Sequence, residues 1–172
     1  MEFNKLYLAI ISILGLLLLY SYYYFLNLKK SNVTDLWARI KPKSKLYNFY
    51  LVSMCLGAIG FMLMLYYFLI GDSFTKSDIT QLFILSLLIV VVSMMWMPLS
   101  LEYVKYPRTW LKILIIIVLL IIAFSGFYTI IKLYMIKDTK HKISRNLAIM
   151  GMIYFFFHTF VLDTITWTTN FF

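Results

Sequence analysis

Five long apolar stretches follow one another along this chain, and the short breaks between them hold most of its charge. They cover about 6–26, 46–70, 79–99, 110–136 and 143–167. A bilayer core about 30 Å thick needs roughly 20 apolar helical residues per crossing, and each stretch meets that length. Unbroken runs such as 111–124 argue against a membrane barrel, whose strands alternate over roughly ten residues. The fold class expected is therefore all-α: an integral membrane bundle of five transmembrane helices, forming a single domain over 1–172. The breaks leave no room for a separate soluble domain. The first stretch is too long for a removable signal peptide and lacks a small-residue cleavage pattern, so it reads as a permanent anchor.

Composition narrows the function classes. The chain is 63% hydrophobic and 13% charged, whereas soluble domains carry about 25% charged residues. Its net charge of +9 sits in the breaks and offers no continuous basic groove face, so nucleic acid is not an expected partner. The single cysteine, Cys55, excludes an internal disulfide and any multi-cysteine metal or cluster site. HExxH, CxxC, a glycine-rich phosphate loop and paired carboxylates on one helix are all missing. His141 and His158 are too few and too far apart for a haem or zinc site. No enzymatic activity, catalytic residue, metal or cofactor is expected. Nor is there an arginine-rich span for voltage sensing or a repeated carbonyl filter.

Five crossings put the termini on opposite sides. Side A then holds the N-terminus and the connections 71–77 and 137–145, with seven Lys and Arg residues. Side B holds 27–45, 100–109 and the C-terminus, with nine. The positive-inside rule makes side B cytosolic and the N-terminus external. In the first connection Val33, Leu36, Trp37 and Ile40 share one helical face. Asn32 is placed to cap it, with Asp35 in the first turn, and Pro42 ends it. This predicts a short interfacial helix, with Trp37, Arg39, Lys41, Lys43 and Lys45 binding lipid headgroups; an ordinary basic loop is the alternative. Asn32-Val33-Thr34 is also a glycosylation sequon, which matters where side B is lumenal.

The tryptophans are asymmetric. Trp37, Trp96, Trp110 and Trp167 all map to side B, with Tyr20, Tyr22, Tyr23, Tyr24, Tyr47, Tyr50, Tyr103 and Tyr106. Aromatic belts normally mark both interfaces, so this one reads either as helix anchoring or as an aromatic vestibule open on side B. In the fifth stretch, His158 lies near the middle and Asp163 nearer side B, on one half of the helix with Thr159, Thr166 and Trp167. At 100° per residue Asp163 stands about 140° from His158, so direct contact is awkward and a bridging water or ligand is expected. Two readings stand. Either His158 and Thr159 join helices and Asp163 snorkels or pairs with Arg39 or Arg108, or His158 and Asp163 line a ligand or proton pathway. Ser93 is a second expected partner for His158. Trp96, just before Pro98, is expected at the depth of Asp163. Ser53, Gly57 and Gly60 form a small face for close helix packing.

Asp35-Leu36-Trp37, Leu46-Tyr47, Ser53-Met54, Trp96-Met97-Pro98-Leu99 and His158 with Leu162-Asp163 and Trp167 resemble a pattern seen in five-helix membrane proteins of algae, other protists and their large DNA viruses. That resemblance implies no activity. Thirteen lysines against three arginines suit an AT-rich genome of that kind. By size and helix count the chain is also similar to translocator/tryptophan-rich sensory proteins, which bind porphyrins and sterols; their tryptophan- and proline-rich loop motif is not legible here. The function expected is binding or passage of a small apolar or amphipathic ligand through an aromatic-lined pocket of His158, Asp163, Thr159, Trp96, Trp167 and Tyr50. The alternative is a structural or assembly membrane protein without a ligand. Expected partners are membrane lipid, a small apolar ligand, and a second copy or a larger membrane complex.

Overall fold

The structure, a computed structural model, describes residues 2–28, 35–37, 40–41 and 43–172. Among them are five helices long and apolar enough to cross a bilayer, and no strand. α1 is Glu2–Leu28, α2 Lys45–Ile70, α3 Lys76–Lys105 and α4 Thr109–Met135. The fifth helix begins as α5, Lys142–Phe156, widens into a π-helical segment, Phe157–Trp167, and closes with the short α6, Thr168–Phe171. Apolar length alone anticipates α2 and α4 to within a residue. α3 exceeds its expected 79–99 at both ends. Thr75 and Asp78 form a reciprocal capping box at its start, and the helix runs on past Pro98 to Lys105. The side-B connection after it is thus much shorter than 100–109.

The helices alternate in direction, with α2 and α5 the most intimate pair. A Cβ built on Gly60 would stand 2.2 Å from the Gly151 carbonyl oxygen, so the two backbones touch. Glycine on both sides is what permits this approach. α3 packs on α4, and α4 packs on α5 through Phe127 against Phe156 and on the π segment through Phe124 against Phe160. α1 lies on the outside, parallel to α3. Tyr7 stacks on Phe83 near one end, and the Tyr22 hydroxyl donates to the Ser93 carbonyl, 2.9 Å, nearer the other. Within its apolar window 6% of α1 is buried, against 33% to 44% for the other four, so α1 decorates a four-helix core.

The first connection departs from the expected interfacial helix. Its described part is one 3-10 turn, Asp35–Trp37, followed by Ile40. Leu36 and Ile40 are buried, and Trp37 packs edge-on against Tyr47 and Tyr50 of α2. The apolar face is therefore spent on the bundle rather than laid among headgroups. Lys41, Lys43 and Lys45 stay exposed, as lipid contact requires. Asn32, Val33, Thr34, Arg39 and Pro42 lie outside the described residues, and with them the capping, sequon and arginine expectations.

Candidate functional site

Polar side chains meet where α2 faces the π segment, about 8 to 12 Å along α2 from its first residue at 1.5 Å per residue. The Tyr50 hydroxyl donates to Asp163 Oδ1 at 2.7 Å. Ser53, fully buried, lies 3.0 Å from His158 Nδ1 through its Oγ, and the same Oγ accepts from the Tyr154 hydroxyl at 3.0 Å. Its own proton is then free for His158 Nδ1, which leaves the imidazole hydrogen on Nε2. That nitrogen faces Asp163 Oδ2 at 3.6 Å, within reach of charge attraction but beyond a hydrogen bond. A chain of polar groups, Tyr154–Ser53–His158–Asp163–Tyr50, thus crosses the α2/α5 seam inside an apolar bundle.

The π segment makes this possible. Its ladder runs from i to i+5, so residues five apart stack rather than diverge. His158 and Asp163 are five apart, and the separation of about 140° expected for an α-helix does not apply. Threonine hydroxyls follow the same register: Thr164 donates to the Thr159 carbonyl at 2.8 Å and Thr166 to the Val161 carbonyl at 2.9 Å. The expected bridging water or ligand is not needed to bring the pair together. Ser93, the alternative hydroxyl partner, instead bonds its own helix at the Ile89 carbonyl, 2.6 Å.

The other expected site residues divide. Tyr50 joins the cluster and stands edge-on to the His158 ring. Trp167 is buried, and its Nε1 donates to the Leu36 carbonyl at 2.9 Å, tying the first connection to the fifth helix. Trp96 meets Trp167 at 5.3 Å and Tyr22 at 6.0 Å between ring centroids. Its buried Nε1 has no hydrogen-bond partner among the described residues. Thr159 is buried but turned away, its hydroxyl bonding the Phe155 and Phe156 carbonyls of its own helix. Trp110 is 55% exposed and takes no part. Ser53 and Tyr154 complete the cluster and were missed as site residues. The small face of Ser53, Gly57 and Gly60 signalled close approach but not its partner.

Of the side-B aromatic side chains, Tyr22, Trp37, Tyr47, Tyr50, Trp96 and Trp167 pack ring on ring, while Tyr20, Tyr23, Tyr24, Tyr106 and Trp110 stand exposed on the outside. Two outer cavities lie away from His158. One, about 410 Å³, is an apolar outer groove between α3 and α4 lined by Leu85, Ile117, Leu120, Ile121, Phe124 and Ser125. The other, about 300 Å³, lies on the outer face of α1 among Tyr20, Tyr23, Tyr24 and Asn27. Hydroxyl, imidazole and carboxylate in series have the order of a nucleophilic triad. Ser53, however, is sealed and already bonded on both sides, so its oxygen has no path to a substrate. Among the described residues no three His, Cys, Asp or Glu side chains converge as metal ligands.

Against protein-family models, curated proteins and solved structures, the chain matches nothing.

Proposed function

We propose that the chain is a multi-pass membrane protein crossing the bilayer five times, and that its polar cluster binds a small apolar or amphipathic molecule. One observation carries the reading: Asp163 and His158 sit side by side within an apolar helix instead of at its ends. Ionisable groups at membrane depth are expensive, and they mark ligand or ion paths more often than simple packing. Packing has cheaper means here, as the Gly60–Gly151 contact demonstrates. The packed rings of Tyr50, Trp37 and Trp167 suit an apolar body that parts them on entry, and the cluster supplies its polar anchor.

The position of the cavities favours a second reading, a structural or assembly component without a ligand, which would use the α3/α4 groove and the uncovered α1 against lipid or another membrane protein. Small molecules co-extracted with the purified protein separate the two. His158→Phe keeps ring size and removes polarity, so the fold should survive. A molecule that accompanies the natural chain and is lost from this variant supports ligand binding. Identical extracts from both would overturn it in favour of the structural role.

A further inference from the structure

We infer that the ligand is an organic ammonium: a protonated amine on an apolar body, its N–H directed at Asp163 Oδ2. The inference rests on the ligand-binding reading above and names the chemistry of its polar end.

A carboxylate has about four acceptor positions and, when desolvated, needs them filled. Asp163 has one hydrogen bond, from Tyr50 to Oδ1. Oδ2 accepts none among the described residues, because His158 Nε2 stops at 3.6 Å. No Lys or Arg among the described residues lies within ion-pair distance of it. Its side chain is 23% exposed while that of His158 is 8% exposed, so the open oxygen belongs to the more accessible of the two ionisable groups. An unpaired acceptor with negative character, reachable from outside, selects a cationic donor.

The surroundings say which cation. Hard metal ions take about six or more oxygens, and the cluster offers the oxygens of Asp163, Tyr50 and Ser53. The neighbouring wall is instead aromatic and aliphatic. Tyr50, Ile40, Leu162 and Trp167 form one buried cluster, with Trp37 and Trp96 packed against it. Ring faces attract ammonium groups, and the attached hydrocarbon enters by parting these packed apolar side chains. A neutral apolar ligand would leave Oδ2 unanswered, and an anion would be repelled by it.

The test uses the full chain in lipid nanodiscs and three probes that share a naphthalene ring. They are N,N-dimethyl-1-naphthalenemethylamine, protonated at neutral pH, the uncharged 1-isopropylnaphthalene, and 1-naphthaleneacetate. Equilibrium dialysis, corrected against empty discs, should show saturable binding of the amine at least tenfold tighter than either companion. Asp163→Asn should remove that preference. If Asp163→Asn fails to fold, the preference on the unaltered chain decides the matter. Saturable binding of amine and neutral probe with equal affinity would overturn the ammonium assignment while leaving a ligand site in place. No saturable binding of any probe would overturn it together with the reading on which it rests.

Discussion

Asp138, 2% exposed at the side-A end, shows how a single residue organises a connection here. Its carboxylate accepts from the Tyr67 hydroxyl at 3.1 Å and from the His141 N–H at 2.8 Å. Burial works against its charge, yet these hydrogen bonds hold its carboxyl below the ordinary aspartate value. A lowered folded pKa means stability that is full above the unfolded value near 3.9 and lost as pH falls through the folded one. Thermal unfolding in detergent between pH 3 and 6 should therefore show an acid loss that Asp138→Asn reduces. An unchanged pH profile in the variant would refute this. Beside it, Lys140 pairs with exposed Asp72 and holds that carboxyl below the usual range as well, joining the α2–α3 and α4–α5 connections. In the cluster, Ser53→Ala strands both Tyr154 and His158 and should cost about 1–2 kcal/mol, near the upper range of measured membrane hydrogen bonds. Thr159→Val, which removes a hydroxyl bonded only to its own helix, should cost under about 0.5 kcal/mol on the same scale. Equal losses in unfolding assays would contradict the placement of these two hydroxyls.

At the scale of elements, the α2/α5 seam is set by glycine. A methyl on Gly60 meets backbone at 2.2 Å and cannot be relieved by a side-chain rotation. Gly60→Ala should separate the helices and cost about 1–3 kcal/mol, the range of overpacking in a full core. One turn earlier, a Cβ on Gly57 would lie 3.6 Å from the His158 ring, an ordinary contact. Gly57→Ala should accordingly be neutral, or stabilising by up to about 1 kcal/mol through helix propensity. The contrast is read from unfolding midpoints of the two variants, and a reversed order would contradict the backbone crossing. The π segment continues from this seam, and its widened turns set Asp163 and His158 against the same neighbour, α2.

For the molecule as a whole, the alternation of five helices sets the two chain ends at opposite ends of the bundle. Reporters fused to each end should lie on opposite sides of the membrane, with the C-terminus cytosolic. A shared side would remove the five-crossing topology. Lys41, Lys43 and Lys45 are exposed on the side-B end. Replacing all three by Gln should weaken association with anionic lipid by about 1 kcal/mol per charge, seen as less retained anionic lipid on purification.

The number of helices and the limits of α2 and α4 were determined by sequence alone. Uninterrupted apolar length has no other outlet in lipid than a helix, since the backbone must satisfy its own hydrogen bonds. Capping at Thr75 and the run past Pro98 lengthened α3 beyond its apolar stretch, because polar residues continue a helix without announcing it by hydropathy. The site was half legible. The depth of Asp163 and His158 and the aromatic bias toward side B pointed to the part of the fifth helix where the polar cluster lies. That Tyr50 and Ser53 answer them, that Trp167 locks onto the Leu36 carbonyl, and that Trp110 stays outside were decided by tertiary structure. A one-dimensional pattern assigns a residue to a helix face but not to the helix that will cover it. The shift of the ladder from i+4 to i+5 leaves no mark in composition or periodicity, and that shift is what places a carboxylate beside an imidazole.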